Sequence, residues 1–190
     1  MSANPLHGER VRLAAIDMDK DLSAIAAWSR DTEFLRLLQT NVARPWTVAG
    51  LRQWMAEDVG ADEPKDSAYG FLIRRLADDR LLGTLDLMVN DWTHRDGWIG
   101  IALGDRTTWN QGYGREALRL LLRFAFNELN LFRVTLSVFS YNPRAIRAYE
   151  RLGFVPEGTQ RERLRRDGQR YDLLIMGLLR SEWQAAQPVT

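Results

Sequence analysis

The feature that most constrains this chain is a change of hydrophobic period at Gly112-Tyr113-Gly114, inside the stretch WNQGYGREA (Trp109 to Ala117). Upstream, apolar and polar residues alternate: Tyr69, Phe71 and Ile73 in SAYGFLIRRL, followed by the strand-like runs LLGTLDLMV and GWIGIAL. The links between them are short, Asp78-Asp79 and then NDWTHRDG, which makes consecutive strands antiparallel neighbours. Downstream, REALRLLLRFAFNELN repeats every four residues, at Ala117, Leu121, Ala125 and Leu129, while Arg119, Arg123 and Asn127 line another face. A strand meander therefore runs into a long helix through a glycine loop.

The remaining segments fit around that junction. RVRLAAI reads as a first strand, and Asp17 to Arg30 as a helix with Leu22, Ile25, Ala26 and Ser29 on one face. A second helix begins near Thr47, an N-cap in WTVAGLRQWMAEDV. After the central helix, RVTLSVF is a strand, and NPRAIRAYERLGF a helix with Asn142 as N-cap, Pro143 at the first position and Gly153 past the end. ERLRRDGQRYDLLIMGLL folds as a hairpin about Asp167-Gly168. The predicted order is β-α-α-β-β-β-α-β-α-β-β: one α/β (α+β) domain over residues 1–190, with a mixed, mostly antiparallel sheet flanked by helices.

Composition narrows the chemistry. With 26 basic and 25 acidic residues the net charge is +1, which offers no general attraction for nucleic acid. The chain has no cysteine, which removes disulfides, thiolate metal sites and thiol nucleophiles and fits a reducing compartment. His7 and His94 are far apart, so no metal is expected. The start, MSANPLHGERVRL, lacks a signal-peptide core, and LLIMGLL (Leu173 to Leu179) falls far short of the roughly 20 residues that span a bilayer. A cytoplasmic protein without DNA or membrane partners is the expectation, and a homodimer remains open.

Gly112-Tyr113-Gly114-Arg115-Glu116-Ala117 spells the dinucleotide pattern G-x-G-x-x-G/A. Its context does not fit. Gly104 to Gln111 separates the glycines from the preceding strand, TLSVFSYN ends without an acid to hold a ribose, and an antiparallel meander replaces the opening βαβ unit. No P-loop pattern occurs. What survives is a helix N-terminus whose unpaired N–H groups and dipole suit a phosphate that glycines allow to approach, or else a loop that glycines merely shape.

NQGYGREA followed some thirty residues later by NPRAIRAYERLGF resembles the GCN5-related N-acetyltransferase (GNAT) superfamily. The first segment is similar to that family's pyrophosphate loop, and the second to its Asn-x-x-x-Ala-x-x-x-Tyr-x-x-x-Gly-Phe segment. Asn142, Ala145 (one position early), Tyr149, Gly153 and Phe154 carry the match. NLFRVTLSV, GFVPEGTQRE and DGQRYDLLIMGLLRSEW also resemble the ribosomal-protein N-terminal acetyltransferase (RimJ/RimL-like) branch and the spermidine acetyltransferases. Trp109 departs from the pattern, standing where many relatives carry Gln or Arg.

The resemblance implies acetyl-CoA as donor, its pyrophosphate on the amides of Gln111, Gly112, Tyr113, Gly114 and Arg115. It implies a splayed strand whose Ile101, Ala102 and Leu103 backbone binds pantetheine and polarises the thioester, with Asn142 also beside the cofactor. Tyr149 is then the candidate acid for the departing thiolate. Asp86, which interrupts an apolar strand, is the candidate base or amine-binding group, or else an acid on a solvated sheet face. Glu33, Asp91 and His94 are weaker candidates, and a water chain is another route. Without cysteine, direct transfer in a ternary complex is expected.

The acceptor is a primary amine: a protein N-terminus, a polyamine, an aminoglycoside or another small amine. The acids Asp31, Glu33, Glu57 and Asp58 are scattered, which favours a protein or peptide α-amine over a polyamine. A non-catalytic acyl-CoA sensor and an RNA-binding module on Arg161 to Arg170 are the competing readings, and a solvated edge hairpin explains that basic stretch better. Trp28, Trp46 and Trp54 either wall the acceptor site or pack the core.

Overall fold

The computed structural model describes residues 4–58 and 67–187, without the side chains of residues 54 and 56–58, so Trp54, Glu57 and Asp58 lie outside the described side chains. Seven strands form one sheet in the order β1-β2-β3-β4-β5-β7-β6. They are β1 (Val11–Ala14), β2 (Ala68–Arg75), β3 (Leu81–Asp91), β4 (Asp96–Leu103), β5 (Arg133–Phe139), β6 (Val155–Arg166) and β7 (Gln169–Leu179). Every pairing is antiparallel except β4 with β5. The expected mixed sheet is present, and the meander is β2-β3-β4.

The helices are α1 (Leu22–Trp28), α2 (Thr32–Leu38), α3 (Val48–Asp58), α4 (Tyr113–Arg123), α5 (Pro143–Glu150) and α6 (Arg180–Ala185). Three of them, not two, lie between β1 and β2, and α6 ends the described chain, so the predicted order lacked two helices. The first helix is also shorter than the predicted Asp17 to Arg30. Asp17 folds its carboxylate onto the N–H groups of Asp19 and Lys20, which holds residues 17–20 in a turn ahead of the helix. Asp21, buried against Arg74 of β2, then anchors the start of α1 to the sheet.

The four-residue repeat of the central helix has a structural counterpart. A strict period of four drifts around a 3.6-residue helix. Here α4 passes into a π-turn at Phe124–Glu128, where Leu129 N–H donates to Phe124 O at 3.1 Å. The wider turn keeps Ala125 and Phe126 fully buried, in register with Ala117 and Leu121.

The two sheet faces differ. Leu85, Leu87 and Val89 of β3 are buried in the main core with α4. The opposite face carries α1–α3: Leu72 packs with Leu22, Ile25 and Met55, and Ala102 with Phe34 and Leu35. That second cover is incomplete, and Asp86 lies on the face it leaves open. The β6–β7 hairpin turns at Asp167 (φ 49°) and Gly168 (φ 80°), as expected from Asp-Gly. Its β6 is the sheet edge and almost wholly exposed, the solvated strand anticipated for Arg161 to Arg170.

Candidate active site

The site begins where the sheet opens. Parallel pairing of β4 with β5 covers Asp96–Arg133, Gly97–Val134 and Trp98–Thr135, then stops. Beyond Trp98 the strand has no partner on that side. Ala102 directs its carbonyl towards Gly83 of β3. Strand alternation therefore turns the peptide groups of Ile101 and Leu103 to the open side. Leu103 O is already engaged, accepting from Trp109 Nε1 at 2.8 Å. Within the expected trio, Ala102 thus serves the sheet, while Ile101 and the Leu103 N–H face the gap.

A cleft of about 750 Å³ occupies the opening. The N-terminus of α4 forms one end. Gly112 caps it in the left-handed region (φ 86°) with no side-chain cap, which leaves the first N–H groups of the helix unpaired by side chains. At Gly114 a Cβ would stand 3.1 Å from Leu103 Cδ1, so its absence lets α4 lie close against β4. Arg10 braces the loop from behind, donating from Nη1 to Gln111 O at 3.0 Å and from Nε to Glu116 Oε2 at 3.1 Å. Gln111, Gly112, Gly114 and Arg115 line the cleft. The Tyr113 ring instead stacks under Arg10, 5.0 Å from its guanidinium carbon.

Helix α5 supplies the far wall. Asn142 is its N-cap as expected, accepting from Ala145 N–H at 3.2 Å, and both residues line the cleft. Two turns later, Tyr149 reaches the same cleft while only 8% exposed. Its hydroxyl makes no hydrogen bond among the described residues. Burial first, and the nearby Asp86 charge second, push the phenol up to about 12.

Asp86 lies in the cleft from the β3 side. It is open to solvent through the mouth yet surrounded by protein, and that surrounding raises its pKa above the usual carboxylate value. Its register neighbours are Gly70 on β2 and Gly100 on β4. A Cβ at Gly100 would meet Asp86 Oδ1 at 2.7 Å, so the carboxylate occupies the space that glycine leaves. No ion pair or hydrogen bond engages it among the described residues.

The arginines of NPRAIRAYER were candidates for the cofactor's 3′-phosphate without a choice among them, and Arg144, Arg147 and Arg151 all line the cleft. Arg144 stacks its guanidinium over the Trp109 ring at 3.7 Å, inside the cleft, and burial lowers its pKa. In the sequence, Trp109 gave no hint that it would serve as a platform. The weaker candidates fall elsewhere. Glu33 joins Asp31 in ion pairs to Arg106. Asp91 caps the turn that follows β3, and His94 beside it is exposed. Among the described residues no group of acids and histidines gathers to hold a metal, and no helix is long and apolar enough to cross a membrane.

An open parallel seam, a glycine-capped helix N-terminus beside it and a buried tyrosine across it form one arrangement, and residues 10–155 match the acetyltransferase (GNAT) domain. The chain belongs to the GNAT family. It is accordingly an N-acetyltransferase, with acetyl-CoA as co-substrate. The SPbeta prophage-derived uncharacterized N-acetyltransferase YokL of Bacillus subtilis is 28% identical over 178 residues, 93% of this chain and 94% of that protein. The spermidine N(1)-acetyltransferase of Vibrio cholerae is 30% identical over 118 residues, 62% of this chain and 68% of that protein. In structure, the Vibrio cholerae spermidine N-acetyltransferase in complex with CoA and spermine superposes with a TM-score of 0.80 at 22% identity. That match covers 92% of this chain and 98% of the other, and it shows a shared GNAT fold.

Proposed function

We propose that this GNAT enzyme passes the acetyl group of acetyl-CoA directly to a primary amine within a ternary complex, with Asp86 as base and Tyr149 as acid. One observation carries the reading. A carboxylate and a phenol, neither with a protein partner among the described residues, share a single cleft at the open seam.

The cleft fits the donor's chemistry. The unpaired N–H groups of Gln111 to Arg115 donate to a pyrophosphate, and Gly112 and Gly114 let it approach. Ile101 and the Leu103 N–H take the pantetheine arm, with Asn142 alongside, and one of these N–H groups polarises the thioester carbonyl. Arg144 supplies a half-buried positive charge beside the same loop.

In the transfer, the amine nitrogen bonds to the carbonyl carbon and the carbon–sulfur bond breaks. Asp86 removes the proton that the nitrogen sheds, and Tyr149 donates its hydroxyl hydrogen to the departing sulfur. The two steps are coupled through charge. A phenol at about 12 is a weak donor to a thiolate of pKa about 8.5. Protonation of Asp86 removes the charge that helps hold Tyr149 so high, and so makes Tyr149 a better acid at the moment sulfur leaves.

The likeness of several segments to the ribosomal-protein N-terminal acetyltransferase branch supports a peptide α-amine as acceptor, whereas the Vibrio relative supports a polyamine. Initial rates measured while both substrates vary test the mechanism. Intersecting double-reciprocal lines are expected, and parallel lines would replace direct transfer with an acetyl-enzyme.

A further inference from the structure

The face of the sheet around Asp86 is a small grid of side chains. Across β2, β3 and β4 the register runs Gly70–Asp86–Gly100, with Ala68–Met88–Trp98 on one side and Leu72–Thr84–Ala102 on the other. Asp86 is the one charged residue in that grid. It stands between two glycines, its carboxylate lying over Gly100 and Ile16 packing over Gly70, so neither register neighbour covers it with a side chain. Met88 beside it is 51% exposed, an apolar side chain left uncovered next to a lone charge.

The wall facing this grid is apolar too. Helix α2 contributes Phe34, Leu37 and Leu38 to the cleft. The acids at the start of the same helix are already paired: Asp31 caps the helix and, with Glu33, pairs with Arg106. Among the described residues Asp86 is the only carboxylate lining the cleft, whereas Arg115, Arg144, Arg147 and Arg151 line it as cations.

Resting on the acetyl-transfer reading above, we infer that the acceptor carries a single cationic amine on an apolar body. One ammonium finds Asp86, and its carbon substituents lie against Met88, Trp98, Leu37 and Leu38. A second ammonium, as in a polyamine, meets no second carboxylate in the cleft among the described residues, so it is desolvated without compensation. Each methylene buried against the apolar wall strengthens binding about fourfold. A short alkylamine and a peptide N-terminus with an apolar first residue share this chemistry.

The test measures kcat/KM with saturating acetyl-CoA for n-propyl-, n-butyl-, n-pentyl-, n-hexyl- and n-octylamine, for spermidine, and for peptides beginning with Leu, Ser or Lys. The expected result is a rise approaching fourfold per methylene until the wall is filled. Spermidine should be no better than octylamine, and the Leu peptide should exceed the Lys peptide at least tenfold. Peptides exceeding all alkylamines would identify the source as a polypeptide, and the reverse a small molecule; either outcome keeps the chemistry. A tenfold preference for spermidine over octylamine overturns the inference while leaving amine acetylation intact. Release of no CoA with any amine overturns both. Leu37→Glu supplies a control that a purely structural role would not satisfy. It should shift the spermidine-to-octylamine ratio upward at least tenfold, whereas a damaged fold lowers both alike.

Discussion

Asp86 and Tyr149 show how one residue is set against another. Burial raises the Asp86 pKa, so the folded protein holds that proton more tightly than the unfolded chain does. Stability from this site is therefore fully present below the ordinary carboxylate value and lost as pH rises through the raised one. At pH 7 the charge is a liability to the fold. Asp86→Asn is expected to raise Tm at pH 7, to give no gain near pH 3, and to lower kcat on the order of a hundredfold. Thermal melts at the two pH values and steady-state rates check this together; an Asn variant with unchanged kcat removes Asp86 as base. Tyr149→Phe should cut kcat by about a hundredfold or more, with acetyl-CoA affinity by calorimetry near that of the parent. In the parent enzyme kcat should fall on the acid side as Asp86 protonates. Tyr149 ionisation should cause no alkaline loss below about 12.

At the scale of elements, legibility followed the strength of local signals. The α5 helix was readable because Asn142, Pro143 and Gly153 each mark a boundary, and the structure uses all three, with Gly153 at φ 95°. The meander was readable from alternation. Helix α2 was not, although Asp31 accepts from Glu33 and Phe34 N–H as an N-cap, because seven residues give too little periodicity to stand out. Helix α6 is shorter still. The candidate site's glycines, tyrosine and asparagine could be named through the segments that resemble the acetyltransferase family, and the structure brings them to one cleft, Tyr113 excepted. The pairing of Ala102 with β3, the Trp109–Arg144 stack and the unpaired state of Asp86 depend on tertiary contacts that no window of sequence contains. The strut beneath the α4 loop belongs here as well. Arg10→Ala frees Gln111 O and Glu116, so it is expected to raise KM for acetyl-CoA about tenfold while leaving kcat within about twofold; equal losses in both would mean general damage instead.

For the whole molecule, the sheet is two antiparallel blocks, β1–β4 and β5–β7–β6, joined by a seam of three residue pairs. Arg133 reinforces the seam, pairing with Asp96 on β4 and Glu157 on β6. Because the blocks part beyond Trp98, the Ile101 and Leu103 amides are expected to exchange hydrogen quickly in the free enzyme and to be protected on acetyl-CoA binding. Exchange followed by NMR checks it, and unchanged rates at both amides would remove them from the donor site. Each block is also a continuous length of chain, residues 11–103 and then 133–179, with α4 as the bridge. Asp86 comes from the first and Tyr149 from the second. The two groups proposed to move protons are therefore brought together by the docking of two consecutive segments, and on that proposal turnover registers the completion of tertiary structure. A chain still emerging from synthesis, with the first segment folded and the second unmade, holds the carboxylate without the phenol and stays silent until its last strands arrive.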